Sequence, residues 1–221
     1  MFNVKHPSTG GPDPWIERLR RWSGLELDDE AIARLEQYGV WLSTEALEAG
    51  GIGPDETSRL WPRHLADSLS YAGVFVHRHG SALDIGSGVG LPGIPLAIAY
   101  PDLEMTLLDR SGRRAALLRR VVRILGLPNA RVVEADIDQI EAHYDVIVAR
   151  ASLPPEQAMP RIGRLLATGG EGVVGLSRQT PPDGARLEAT AARHGLVSEV
   201  VSIPPGVLDS PAWLLRMTHR E

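Results

Sequence analysis

Two periodicities divide the chain. Between residues 15 and 78, apolar positions recur every three or four residues, as in helices that turn one face to a core. Trp15 to Trp22 reads as a short helix. Asp28-Asp29-Glu30 opens a longer one, because carboxylates suit a helix N-terminus and Asp28 or Asp29 can cap it. Ile32, Leu35, Tyr38, Leu42 and Ala46 follow at helical spacing, and Gly50-Gly51 stops the run. Pro54 and Asp55 begin a third helix that carries Leu60, Trp61, His64, Leu65, Ser68 and Leu69. From Ser81 the pattern changes to short apolar runs alternating with amphipathic ones. The strands predicted are 81–83, 104–108, 131–134, 144–149, 171–176, 196–203 and 213–217, the last two an antiparallel pair at one edge. The helices predicted between them are 94–100, 111–125, 156–166 and 183–194, with Gly169-Gly170 and Gly195 as stops for the last two. Such alternation predicts an α/β fold with a mostly parallel, seven-stranded sheet. Residues 15–221 then form one domain, with 15–78 as a helical cap and 79–221 as the α/β core. Residues 1–14 form a flexible lead.

The first strand runs into Asp84-Ile85-Gly86-Ser87-Gly88-Val89-Gly90-Leu91-Pro92-Gly93, and a helix begins at Ile94. Strand, glycines, helix is the order of a nucleotide-binding turn. Without Cβ atoms the backbone can take positive φ and come close to a ligand, and the helix start offers unpaired N–H groups. Gly88, Gly90 and Gly93 spell the G-x-G-x-x-G of dinucleotide sites. Gly86, Gly88 and Gly90, led by Asp84, spell D-x-G-x-G-x-G, which resembles the first motif of S-adenosylmethionine (SAM) methyltransferases. SAM has no pyrophosphate, but it carries an ammonium group that Asp84 can hold directly or through water. An acid ahead of the first glycine therefore favours SAM over NAD. A turn that binds nothing is disfavoured, because alternating glycines cost conformational entropy.

Ligands of open α/β sheets sit beyond the carboxyl ends of strands, where Asp84, Asp109, Asp136 and Arg150 fall. Asp109 follows Gly90 by about twenty residues, the spacing of an acid that accepts ribose hydroxyls in either the NAD or the SAM reading. Asp136 or Asp138 can accept from an adenine amino group. Arg150 ends the fourth strand, where many methyltransferases acting on exocyclic amines carry Asn/Asp-Pro-Pro-aromatic. Ala149-Arg150-Ala151-Ser152 stands there instead. A ring nitrogen with a free lone pair, such as guanine N7, needs no base to remove a proton. An enzyme for it works by positioning and electrostatics, and an arginine can hold a phosphate or the guanine face.

Composition narrows this further. The net charge of −5 argues against a broad, nonspecific nucleic-acid binder. One local exception is the helix 111–125 with Arg110, Arg113, Arg114, Arg119, Arg120 and Arg123. Most of these lie opposite the stripe Leu118, Val121, Val122 and Leu125. They read either as RNA phosphate contacts or as a solvated face in a chain with a single lysine, Lys5. The chain has no cysteine, which excludes disulfides and thiolate metal sites and fits a cytoplasmic protein. No apolar run has a membrane span's length, Met1 to Pro14 lacks a secretory h-region, and no His/acid pair has metal-ligand spacing.

Arg63-His64-Leu65-Ala66-Asp67-Ser68-Leu69, the segment Leu83 to Ala97 with its Leu-Pro-Gly-Ile-Pro extension, Leu107-Leu108-Asp109 and Arg150-Ala151 together carry a resemblance. Over about residues 30–175 the chain resembles the bacterial 16S ribosomal RNA guanine-N7 methyltransferases, the glucose-inhibited division protein B family. The resemblance implies a Rossmann-like class I SAM-dependent methyltransferase, monomeric and cytoplasmic, acting on the 16S rRNA of the small ribosomal subunit. It implies SAM contacts at Asp84, Gly86, Ser87, Gly88, Gly90, Leu91, Asp109, Arg110, Asp136, Ile137 and Arg150. It makes His64 and Arg150 the catalytic pair on the RNA side of the cleft. Arg113, Arg114, Arg120 and Arg178 are the RNA-binding candidates. Four departures stand out. Gly50 to Pro54 replaces the Asn-Leu-Thr of many members, as in an actinobacterial variant. Asp136-Ile137-Asp138 replaces Arg-Ala-Glu, Ala149 replaces Ser, and Ser177-Arg178 replaces Lys-Gly. The last of these leaves open a relative that methylates another RNA or a small molecule, or a SAM-binding assembly factor without catalysis.

Overall fold

The computed structural model describes residues 12–220. Residues 1–11 of the expected lead lie outside the described residues, and from Asp13 on the chain is already helical. The cap begins with α1 (Asp13–Ser23), ended by Gly24 at φ 66°. Next comes α2 (Asp29–Trp41), whose last turn widens into a π turn through Ala46. Asp28 caps α2 by accepting the Ala31 N–H at 2.7 Å, and the i,i+4 pair Glu30–Arg34 at 2.6 Å supports its exposed side.

The third helix predicted is not continuous. It runs as a 3₁₀ segment Pro54–Arg59, a π turn Leu60–Leu65, the short α3 (Ala66–Leu69) and a second 3₁₀ segment Ser70–Gly73. Pro62 is the cause: it has no N–H for the carbonyl four residues back, and its ring crowds that turn, so the ladder resets around it.

The sheet has seven strands: β1 (Gly80–Ile85), β2 (Leu103–Asp109), β3 (Ala130–Glu134), β4 (Tyr144–Ala149), β5 (Leu166–Gly175), β6 (Leu196–Ile203) and β7 (Ala212–His219). Their order is β3-β2-β1-β4-β5-β7-β6. β1 to β5 are parallel, and β7 runs antiparallel to β5 and β6. Between the strands lie α4 (Gly93–Ala99), α5 (Gly112–Leu125), α6 (Pro155–Leu165) and α7 (Gly184–Ala192). Gly169-Gly170, expected to close a helix, lies inside β5 instead. The β4–β5 register slips between Tyr144 and Val146, and Gly169 takes φ 77°. The glycines absorb an irregularity in the strand and do not end a helix.

Two apolar clusters cover the two faces. On one, Leu35, Tyr38, Leu65 and Leu69 of the cap share a cluster with Ile94, Leu107, Leu118 and Val146. On the other, Leu83, Ile147, Met159, Ile162 and Leu187 join the sheet to α6 and α7. Glu171, with 1% of its surface exposed, fastens the end of the cap to β5. It accepts the N–H groups of Val76 at 2.6 Å and His77 at 3.1 Å, and Nε of Arg216 at 2.9 Å. Burial pushes its carboxyl up, but the His77 ring nitrogen at 2.8 Å and then these bonds together outweigh burial and hold it below its ordinary value. The strand order reverses between β1 and β4, so a crevice opens beyond their carboxyl ends. Among the described residues, no helix is long and apolar enough to cross a membrane.

Two cavities that meet at the end of β4

β1 delivers the chain into three left-handed glycines: Gly86 at φ 66°, Gly88 at φ 62° and Gly90 at φ 105°. Neighbours pin the turn from several sides. The Gly88 N–H donates to Asp109 Oδ2 at 3.0 Å, and Asp109 Oδ1 accepts the Ser111 N–H at 2.9 Å. The Ser87 hydroxyl donates to the Asp84 carbonyl at 3.0 Å. From the cap, the fully buried Tyr38 donates its hydroxyl to the Val89 carbonyl at 2.8 Å.

Asp84 lies beneath this turn and does not line the cavity above it. It is fully buried, one carboxylate oxygen accepts the Gly93 N–H at 3.0 Å, and the other has no partner. Burial pushes its carboxyl up to about 7 from an ordinary 3.8. Between those values the folded protein keeps a proton that the unfolded chain has released, so this group makes the fold less stable as pH rises. The slope reaches up to about 1.4 kcal/mol per pH unit. Asp84→Asn removes the titration, so its melting temperature relative to wild type is expected to improve from pH 5 to pH 8. A gap that stays constant or worsens contradicts the placement.

The first cavity, about 470 Å³, opens above the turn. Gly86, Ser87, Gly88 and Leu91 form its floor, Asp109 and Arg110 one side, Asp136 and Ile137 another, and Arg150 with Ala151 and Ser152 the far wall. Of the residues expected around SAM, only Asp84 and Gly90 are not in this lining. Asp136 caps a 3₁₀ turn, accepting the Asp138 N–H at 3.0 Å, while both oxygens of Asp138 take Arg161 at 3.1 and 3.0 Å. Arg114 also lines this cavity, 3.9 Å from Asp109. Arg113 donates to the Ala49 carbonyl at 2.6 Å, and Arg120 pairs with Glu45, so both tie α5 to the cap. Arg110 and Arg123 are exposed.

The second cavity, about 690 Å³, lies across the wall formed by Arg150, Ala151, Ser152 and Leu153, which line both. His64 and Asp67 enter it from the cap, and Ser177-Arg178 from the loop after β5. Arg150 donates from Nη1 to Asp67 Oδ2 at 3.1 Å, and its Nη2 lies 3.2 Å from His64 Nδ1. Arginine has no acceptor, so Nδ1 accepts and the His64 proton is assigned to Nε2. Nε2 lies 3.0 Å from Glu56 Oε2. Burial first, then the Arg150 charge, lowers His64 to about 4, so it is neutral at neutral pH.

Sequence reasoning missed four residues of this seam. Asp67 joins Arg150 to Arg178. Tyr71 donates to the Ala149 carbonyl at 2.9 Å and fixes the end of β4. Ala151 takes φ 52°, rare for a residue with a Cβ, and the Ser152 hydroxyl next to it is buried without a partner. Asp67 left a trace three residues after His64, on the same side of a helical turn, and Ala151 and Ser152 stand in the motif after Arg150, but nothing in the sequence marks their contacts, and Tyr71 left no trace.

Comparison with known proteins adds relatives and a fold. Residues 31–190 match the family described as GidB, rRNA small subunit methyltransferase G. A protein named ribosomal RNA small subunit methyltransferase G from Rhodococcus jostii is 33% identical, over 98% of this chain and 95% of its own length. The protein of that name from Leifsonia xyli is 37% identical over 89% and 98%. Among solved structures, magnesium protoporphyrin IX methyltransferase from Synechocystis PCC 6803 with bound SAM superposes with a TM-score of 0.59 at 15% identity, over 88% of this chain and 99% of that one. A ribosomal protein L11 methylase from Lactobacillus delbrueckii gives 0.54 at 13% identity, over 77% and 81%. At such identities these structures speak for the Rossmann-like fold alone.

Proposed function

The chain belongs to the GidB family, rRNA small subunit methyltransferase G, and from that premise we propose that it methylates N7 of a guanine in 16S rRNA. It is a SAM-dependent methyltransferase with a Rossmann-like class I fold. The observation that carries the reading is the pair of cavities sharing the wall Arg150 to Leu153. One suits the methyl donor, the other the acceptor, and the wall is where they meet.

The residues of the first cavity fit SAM. A Cβ on Gly86 would stand 2.6 Å from the Ser152 Cβ, so the turn stays bare where a ligand approaches the wall. Asp109, fixed by the Gly88 and Ser111 N–H groups, offers its remaining lone pairs to ribose hydroxyls. Asp136 and Ile137 stand where adenine is expected. When bound, SAM supplies a methyl group on a sulfonium, already strongly electrophilic.

The chain's own residues have little proton chemistry to do. Guanine N7 carries a lone pair and loses no proton, and His64 is neutral with Nδ1 committed to Arg150. Arg150 then acts on the acceptor side, by orienting the guanine. Arg178 adds a second cation there. Arg113 and Arg120 are tied to the cap, which leaves them a smaller share of RNA binding than their number suggests. We further assign residues 15–221 to one domain working as a cytoplasmic monomer on the small subunit.

The test uses small subunits from a strain of the source organism that lacks this gene, incubated with the protein and labelled SAM. Label is expected in 16S rRNA after the ribosomal proteins are removed. Label that leaves with the proteins, or none while SAM binding is confirmed on the same sample, contradicts the reading.

A further inference from the structure

We propose that Asp67 is a positioning residue: it joins Arg150 and Arg178 into one clamp, in which Arg150 faces the guanine and Arg178 a phosphodiester of the substrate RNA. The inference rests on the rRNA reading above.

Asp67 Oδ2 accepts from Arg150 Nη1 at 3.1 Å, while its Oδ1 takes Arg178 Nη2. The two arginines come from different places, the end of β4 and the loop after β5, and a single carboxylate holds them together. The side chains of Asp67, Arg150 and Arg178 are only 16%, 19% and 13% exposed, so solvent screens this trio far less than a surface pair. Two cations on one anion leave the trio with net positive charge. Asp209 at 3.6 Å from Arg178 draws on it, but itself pairs with Arg59 at 3.0 Å. Donors remain on both guanidiniums. Arg150 uses Nη1 and Nη2, Arg178 uses Nη2 and, to Ser210 at 3.0 Å, Nη1; Nε of neither makes a hydrogen bond among the described residues. Planar forks of N–H groups match phosphate oxygens.

Position selects the ligand. Arg150 lines both cavities and stands at the wall, where the methylated nitrogen has to be. Arg178 lines only the second cavity, away from the methyl donor's side of the wall. With the base at the wall, the group that reaches Arg178 is the sugar-phosphate backbone. The clamp also accounts for the Ser177-Arg178 departure. A guanidinium one position along is drawn into the cleft by the second oxygen of Asp67, so the cation the cleft needs is present by another route.

The experiment measures filter binding of small subunits to wild type, Asp67→Asn, Arg178→Ala and the double variant across salt concentrations. SAM binding on each sample reports folding, and methyl transfer on the same samples tests the rRNA reading separately. Each single variant is expected to weaken subunit binding about tenfold, with SAM affinity unchanged. In Arg178→Ala the slope of log affinity against log salt should shrink by about 0.7, one phosphate's share. The double variant should bind no worse than the weaker single, because Asp67 acts through the arginines. A double variant as weak as the product of the singles, or an unchanged salt slope in Arg178→Ala, overturns the clamp. If Asp67→Asn fails to bind SAM, the slope in Arg178→Ala decides alone. Competition by inorganic phosphate with an unchanged slope for subunits makes this a free-anion site and overturns it too. Wild-type binding without methyl transfer overturns the rRNA reading and leaves the clamp to the variant ratios.

Discussion

Arg150→Ala is expected to cut methyl transfer by at least about 100-fold while leaving SAM affinity within a few-fold of wild type. The asymmetry follows from where the side chain goes. It lines both cavities, but its guanidinium is held by Asp67 and His64, which line only the second. Losing it removes the cation nearest the acceptor and leaves the Asp67 oxygen and His64 Nδ1 without their donor. Breaking a largely buried pair costs about 3–5 kcal/mol of stability. Arg150→Met, which keeps bulk without charge, belongs beside it. Single-turnover rates at saturating SAM, with SAM binding by calorimetry, check the claim. Unchanged turnover in a folded variant removes Arg150 from the site.

Gly86→Val is expected to weaken SAM binding by at least about 100-fold, equivalent to about 2.7 kcal/mol. Two effects combine. Gly86 sits at φ 66°, where a β-branched residue is strained, and its Cβ would collide with Ser152 at 2.6 Å. Relief of the collision pushes the turn or the wall, and both line the cavity. Gly126→Ala is the control. It has the same left-handed backbone, at φ 60°, but open space around it. Strain there lowers stability by about 1–2 kcal/mol and leaves SAM affinity alone. Equal loss of SAM binding in both variants shows that strain, not the seam, is what matters.

The glycine turn, the parallel sheet and its antiparallel edge pair were legible because each rests on local signals: glycine spacing, short apolar runs alternating with amphipathic ones, and strand-end polar residues. Asp109, Asp136 and Arg150 were legible for the same reason, since strand ends in this fold point at one crevice. Local signals ended at the cap. The helix broken around Pro62 and the glycines inside β5 depend on packing and register, which a single segment does not encode. Tyr38 and Tyr71 read as core because burial of their rings dominates the pattern; that their hydroxyls hold the glycine turn and the end of β4 depends on contacts 51 and 78 residues away. Asp84 was placed against the ligand from its motif, whereas its burial under the turn follows from the side-chain alternation of β1 and the close approach of Gly93. The arginines of α5 show the converse. Sequence gave them one sign and one helix, and the structure supplied acceptors in the cap for two of them.

The wall at Arg150 to Ser152 is expected to present a guanine N7 of 16S rRNA to SAM. Borohydride reduction followed by aniline cleavage reads N7-methylguanine directly. Small subunits from a strain lacking this gene, treated with the protein and SAM, are predicted to give one new cleavage in 16S rRNA. That cleavage should be absent after treatment with Arg150→Ala. Methyl label incorporated into the RNA with no new cleavage places the methyl on another atom and contradicts the account.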